Sequence, residues 1–297
     1  MAQDPKIGRE ILAHQVDAYR RLRNTLRYLL GNLSEFDAGE RVEVADMPEL
    51  ERWVLHRLAE LDTLVRRSSE AFDFHSQFTA LHNFCAVDLS AFYFDVRKDV
   101  LYCGRADDPV RRSVRTVLDE VFACLTAWLA PIICFTAEEA WLARFPGETE
   151  SVHLRLFPDV PADWRDDELA RKWDEVRRIR RVVTGALELE RAEKRIGSSL
   201  QAHADVHIEA SRMWALDGVD LAEIAITSSI GISQDPAPDG AFTLDDVTDV
   251  GVIVGPAAGA KCERCWRFLP EVGDDAAYPD VCGRCADAVG HVMSVAE

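Results

Sequence analysis

Between Lys261 and Cys285 lie two Cys pairs, Cys262/Cys265 and Cys282/Cys285, each C-x-x-C, with sixteen residues between them. That spacing falls inside the pattern of a four-cysteine zinc site. Each pair closes a tight knuckle, and two knuckles supply the tetrahedral thiolate set that a structural zinc prefers. Four cysteines fill the coordination shell and leave no position for water or substrate, so a single Zn2+ here is structural. Its binding free energy, on the order of 10 kcal/mol or more, folds a segment too small for a core of its own. Pro270, Gly273, Pro279 and Gly283 punctuate the segment, as two short hairpins or turns require. The competing readings are a pair of disulfides or four unrelated thiols. No secretion signal accompanies the cysteines, which weighs against a disulfide frame.

The other cysteines, Cys85, Cys103, Cys124 and Cys134, are scattered, and three sit in apolar helical patterns. They read as buried thiols of a reducing cytoplasm. At 297 residues the chain has room for about two domains. With 48% hydrophobic and 29% charged residues it has an ordinary globular balance, and it carries no apolar run long enough for a membrane span. The net charge of −18 excludes indiscriminate nucleic-acid binding, which needs a broad basic surface. The charge is uneven, however. Residues 201–297 hold 5 Lys and Arg against 17 Asp and Glu, residues 171–195 hold 9 against 5, and Arg20, Arg21, Arg23 and Arg27 run without an acid among them. A polyanion would therefore meet local basic stripes; the plainer reading of such stripes is a solvated helix face.

Apolar residues recurring every three or four positions predict a helix from Glu10 to Leu30, with Leu12, Val16, Tyr19, Leu22, Leu26 and Leu29 inward and Gly31 closing it. Asp46-Met47-Pro48-Glu49 reads as a capping box opening a second helix to about Arg67, with Trp53, Val54, Leu58, Leu61, Leu64 and Val65 buried. Asp73 caps a third, to about Phe94, with Phe74, Phe78, Leu81, Cys85 and Leu89 inward. A fourth begins at Asp108-Pro109, buries Val114, Val117, Leu118, Val121, Leu125 and Trp128, and is ended or kinked by Pro131. Thr136-Ala137-Glu138-Glu139 is a further capping box, for a short helix ending near Gly147.

After the Pro-rich joint at 156–161, a long charged helix runs from about Asp167 to Lys194, with Leu169, Trp173, Val176, Ile179, Val183 and Leu187 in register. Strand-like runs follow at Val206-His207-Ile208, Ile224-Ala225-Ile226 and Val252-Ile253-Val254. The whole is mainly α: a helical bundle over 1–155, a long helix and small α+β junction domain over 156–260, and a four-cysteine zinc knuckle or ribbon over 261–297. For catalysis there is no G-x-x-x-x-G-K-S/T loop, G-x-G-x-x-G turn or G-x-S-x-G elbow. His75 and His82 share a helix face, yet no third ligand completes a site, so core or hydrogen-bonded histidines is the better reading.

Taken together, the motifs resemble the C-terminal half of bacterial isoleucyl-tRNA synthetases, a class I aminoacyl-tRNA synthetase family. The resemblance covers nearly the whole chain. It rests on Tyr19-Arg20-Arg21-Leu22-Arg23-Asn24-Thr25-Leu26-Arg27, Leu81-His82-Asn83-Phe84-Cys85, Asp88 to Tyr93 and Asp95-Val96-Arg97-Lys98-Asp99. It continues through Trp128-Leu129-Ala130-Pro131 with Phe135 to Glu139, Lys194 to Leu200, and most specifically Lys261-Cys262-Glu263-Arg264-Cys265-Trp266. It implies an α-helical anticodon-binding domain, a junction region and a zinc-binding end, of which the bundle and the zinc end grip the anticodon stem-loop of isoleucine tRNA. The family's ATP-dependent ligase and editing domains lie upstream, and the H-I-G-H-type and K-M-S-K-S-type motifs do not occur here. The stretch Ile7 to Leu12 resembles sequence just past the second of those motifs. The expectation is a shortened form whose Met1 is added or coincidental, a single-chain cytoplasmic protein that forms no aminoacyl-adenylate alone and works beside its catalytic domain.

On this resemblance, Arg20, Arg23 and Arg27 share a helix face suited to tRNA phosphates, with Arg177 and Arg181, beside Arg178 and Lys194, as secondary candidates. Trp266 is placed to stack on an unstacked base, and Arg264 to meet a guanine edge with two donors. The alternative for Trp266 is a small core packed over the metal. Two other classes remain: a zinc knuckle for protein–protein contact, which the acidic C-terminal third suits, and the zinc-finger region of a DNA-repair glycosylase. The latter lacks a basic DNA groove and, at Met1-Ala2-Gln3, a catalytic N-terminal proline.

Overall fold

The computed structural model describes residues 8–296; the expectations for Met1 and Ile7 lie outside them. Two compact units divide the chain, Met1–Arg97 with Pro109–Asp166, and Lys98–Asp108 with Asp167–Glu297.

In the first unit, α1 (Arg9–Asn32) buries Leu22, Leu26 and Leu29. Its N-terminal half departs from expectation, since Ile11, Leu12, Val16 and Tyr19 are all exposed. The periodicity is that of a buried stripe, but burial begins only at Leu22; ahead of it Tyr19 stays exposed while its hydroxyl meets Thr136 Oγ1 at 3.0 Å. Gly31 lies within the helix, and Leu33 closes it through a backbone bond to Leu29. Next, α2 (Glu49–Glu70) starts at Pro48 with no side-chain cap, while Val44–Asp46 forms a 3-10 turn. The expected capping box at Asp46 is therefore not formed. Of its predicted apolar face Trp53, Val54, Leu58, Leu61 and Val65 are buried, while Leu64 is half-buried.

Asp73 does cap α3 (Phe74–Asn83), accepting the Ser76 amide at 3.1 Å. The chain then continues as a π-helical stretch, Phe84–Tyr93, into α4 (Phe94–Cys103). Along it Phe84/Cys85, Asp88/Leu89 and Phe92/Tyr93 are inside. Helix α5 (Pro109–Leu129) begins with proline at its first position and buries Val114, Val117, Leu118, Val121, Leu125 and Trp128. Then α6 (Cys134–Arg144) starts two residues ahead of the expected Thr136 cap. Glu138 instead reaches the Ser151 hydroxyl and the Val152 amide, fastening the following turn.

One polar cluster sits in this core. Arg97, 4% exposed, donates from Nε and Nη2 to the two oxygens of fully buried Glu51 at 2.7 and 2.6 Å, and the Tyr93 hydroxyl joins at 3.1 Å. Burial raises the Tyr93 pKa, so its proton stays available for that bond.

In the second unit, α7 (Asp167–Ala192) lays Leu169, Trp173, Val176, Ile179, Val183 and Leu187 on a four-stranded sheet of order β2-β1-β4-β3. Its strands are β1 (Ala202–Ile208), β2 (Ser229–Ser233), β3 (Phe242–Leu244) and β4 (Val247–Pro256). Antiparallel pairing sets Val206 against Val252, and parallel pairing sets Val206 against Ile232. The alternation in β1 puts Ala202, Ala204, Val206 and Ile208 on the buried side. The expected strand at Ile224-Ala225-Ile226 is instead a helix, α8 (Leu221–Ala225). Asp220 caps it by accepting the Ala222 and Glu223 amides, and Ile226 ends it in the left-handed conformation. The local cap outweighs the β-branched composition. No described helix is long and apolar enough to cross a membrane.

Candidate metal centre

A two-stranded hairpin, β5 (Ala260–Lys261) and β6 (Phe268–Leu269), carries the first Cys pair in its turn. Two backbone bonds close the knuckle, Cys262 N–H to Arg267 O and Trp266 N–H to Cys262 O, both 2.8 Å. The second pair is not a matching hairpin, contrary to what the turn residues imply. Cys282 precedes and Cys285 lies in the first turn of α9 (Gly283–Ala296), where the helix dipole favours thiolate. The Glu263 amide donates to Asp280 O at 3.0 Å and the Cys282 amide to the Cys262 sulfur at 3.3 Å, bringing the two halves together.

All four sulfurs lie within 4.8 Å of one another, and all four cysteines are buried. The Cys265 and Cys282 sulfurs are 3.8 Å apart. Crowding disfavours charge: Cys265 is pushed up to about 12 by its bond with Cys285 and by burial, and Cys285 up to about 12 by the Cys103 thiol and by burial. Four such thiolates coexist only around a cation, and four clustered sulfurs suit a tetrahedral soft-ligand ion. The residues therefore fit a single structural zinc held by Cys262, Cys265, Cys282 and Cys285, in which the metal fixes the knuckle and performs no chemistry.

Gly259 sets the entry to this hairpin, with φ +94. A Cβ there would stand 2.2 Å from the Leu269 carbonyl carbon. Gly259→Ala is expected to cost the knuckle at least about 2 kcal/mol, read as a lower denaturant midpoint for metal release.

Trp266 follows the last ligand of the first pair with φ +66 and is 62% exposed. It does not pack over the metal. Arg264, by contrast, turns inward, toward the Tyr102 and Cys103 carbonyls and the Cys285 sulfur, and not outward to a base edge as the resemblance implies. The reason is that peptide carbonyls at the end of α4 offer fixed acceptors for its fork.

The candidate basic residues fall into two groups. In the first unit Arg20, Arg23 and Arg27 are all exposed on α1. Arg23 lies 3.8 Å from Glu139, an exposed pair that holds it weakly, while Arg20 acts on exposed Asp17 only through its charge, helping to lower that carboxyl's pKa after Arg21. Arg23 and Arg27 line a cleft of about 190 Å³ with Leu26, Leu30 and Glu139. In the second unit Arg181 is paired with Asp246, Arg178 lies 3.9 Å from Glu175, and Arg177 is half-buried and partnered. These are weaker contacts for a phosphate than the α1 set.

Residues 51–208 match the family described as the anticodon-binding domain of tRNA ligase, more than half of the chain. The chain belongs to that family. Residues 259–288 match the zinc finger found in FPG and IleRS, which covers the knuckle from Gly259 and all four cysteines. Among curated relatives, the isoleucine–tRNA ligase of Brucella abortus (strain 9-941) is 51% identical over 99% of this chain. That of Ruegeria pomeroyi is 53% identical over 97%, and that of Bartonella henselae 48% over 97%. The chain spans 30% of the length of each of these relatives.

Proposed function

We propose that the chain is the tRNA-binding portion of an isoleucine–tRNA ligase, recognising the anticodon stem-loop of isoleucine tRNA while ATP-dependent aminoacylation takes place in the catalytic part of the same enzyme. The carrying observation is the 51% identity to isoleucine–tRNA ligases over 99% of the chain. The reading makes it a single-copy component of a cytoplasmic enzyme.

Two features give that reading a physical form. A bulky residue in left-handed backbone is an uncommon and costly arrangement, and such strain collects at functional sites. Trp266 is held there by the metal knuckle with its indole in solvent, pre-ordered for stacking on an unpaired base. Arg20, Arg23 and Arg27 supply positive charge on one exposed helix face within a strongly acidic chain, and so position the RNA backbone.

A tRNA-binding titration at fixed salt tests both. Trp266→Ala is expected to weaken binding of isoleucine tRNA by roughly 5- to 150-fold, the equivalent of about 1–3 kcal/mol for one stacked base. Replacing Arg20, Arg23 and Arg27 by alanine should weaken cognate and non-cognate tRNA alike, and flatten the slope of log K against log salt by about 0.7–0.9 per lost phosphate contact. Unchanged cognate affinity in both variants would refute the reading.

A further inference from the structure

Each Cys pair holds an arginine at the same place, Cys262-Glu263-Arg264-Cys265 and Cys282-Gly283-Arg284-Cys285. Both arginines turn to one neighbour, the segment Lys98–Asp108 of the second unit, 161 residues away in sequence for Arg264 with Cys103 and 185 for Arg284 with Asp99. Arg264 donates to the Cys285 sulfur at 3.7 Å, and to the carbonyls of Cys103 and, at 3.4 Å, Tyr102. The Cys103 thiol returns a bond to Arg264 O at 3.6 Å. Arg284 grips Asp99 with both Nη atoms, Nη2 to Oδ1 at 2.8 Å. Farther out, Arg105 reaches the two Asp287 oxygens at 3.4 and 3.3 Å, and His291 lies 3.7 Å from Asp107.

Two physical needs converge on Arg264. The Tyr102 and Cys103 carbonyls belong to the last turn of α4, and both accept from Arg264, as a guanidinium at a helix C-terminus can arrange. A zinc bound to four thiolates carries formal excess negative charge, which donors to the sulfurs disperse; such outer-shell partners orient ligands and govern retention. A single planar fork meets both needs at once, one nitrogen serving a sulfur and a helix end together. A lysine offers the charge without the fixed fork.

We propose that Arg264 is a positioning residue shared by the metal centre and the end of α4, so that zinc retention and the seating of residues 98–108 form one linked equilibrium. Arg284 with Asp99 reinforces the same clamp from the second pair. Because linkage is reciprocal, loosening the segment releases metal, and removing metal loosens the segment. This inference stands apart from the RNA reading.

The test follows two readouts on the zinc-loaded full chain: transfer of zinc to a chromogenic chelator, and hydrogen exchange of residues 98–108 by mass spectrometry. Arg264→Met is expected to speed zinc loss by roughly 10- to 100-fold and to deprotect 98–108 with metal still bound. Arg264→Lys should recover part of the retention, Asp99→Asn should show a smaller acceleration, and Lys261→Met should match the parent. Stripping zinc from the unmutated chain should deprotect 98–108 along with the knuckle, an arm that needs no variant to fold. Zinc release from Arg264→Met at the parent rate would overturn the proposal. So would protection of 98–108 that ignores the metal, or an equal rise in exchange across the whole chain.

Discussion

Cys285→Ser is expected to abolish zinc retention and to remove hydrogen-exchange protection across residues 259–288. The stretch has little apolar core to hold it. Among the described residues its buried cluster is the four cysteines with Cys103, packed by Leu269, Val272 and Val281. Apolar burial on that scale offsets the ordering of some thirty residues only slightly, since each costs about 1–2 kcal/mol of backbone entropy. Metal binding, apparent values for such sites being about 10–16 kcal/mol near neutral pH, supplies the difference. Three thiolates and a shorter, harder hydroxyl leave most of that unrealised. Cys124→Ser is the control: that thiol is buried in α5, away from the cluster, and its loss should leave one zinc per chain. Because the ligands must shed protons to bind, retention is also expected to fail as pH falls. Native mass spectrometry reads the metal content in each case.

The second large effect belongs to the first unit. Glu51→Gln is expected to destabilise it by about 3–5 kcal/mol, because it removes the buried carboxylate that two nitrogens of the Arg97 guanidinium bind. On a unit of this size that is a fall in melting temperature of roughly 6–20 °C by calorimetry. The same arithmetic forecasts a contrast. Removing both charges, as Glu51→Met with Arg97→Met, should recover most of the loss, since a packed apolar pair is often as stable as a buried ion pair. Breaking the exposed Arg21–Asp17 pair should cost under about 1 kcal/mol. If Glu51→Gln and the Asp17→Asn control shift the melt equally, the buried cluster does not have the role assigned to it.

Where sequence and structure agree, a short-range rule carries the information. Two C-x-x-C pairs at the right separation force four sulfurs together, and strict three-and-four spacing makes α2, α5 and α7 legible with their buried faces. The departures share a different cause. Leu12, Val16 and Tyr19 have the spacing of a core stripe, but burial depends on what lies opposite, and periodicity says nothing of that. Ile224-Ala225-Ile226 is β-rich in composition, while the decisive signal is Asp220, a cap placed just ahead of it.

The π-helical stretch is not legible in this way, because Phe84/Cys85, Asp88/Leu89 and Phe92/Tyr93 repeat every four residues just as Val117/Leu118, Val121/Phe122 and Leu125/Thr126 do in the α-helical α5. Arg264 is the instructive case in the site. Adjacency to a metal ligand points it toward RNA, yet its acceptors are the Tyr102 and Cys103 carbonyls, a partnership over some 160 residues that no local pattern encodes. Trp266 is placed by the same adjacency, and the left-handed turn that exposes it is set by the knuckle's own backbone bonds.

The most direct measurement is the affinity of the full chain for isoleucine tRNA, at one salt concentration, with zinc bound and with zinc removed, for the parent and for Trp266→Ala. If an ordered knuckle presents the indole to an anticodon base, removing zinc weakens the parent about as much as the tryptophan substitution does, roughly 5- to 150-fold, and adds little further loss in the variant. Equal affinity of the zinc-bound and zinc-free parent would contradict the account.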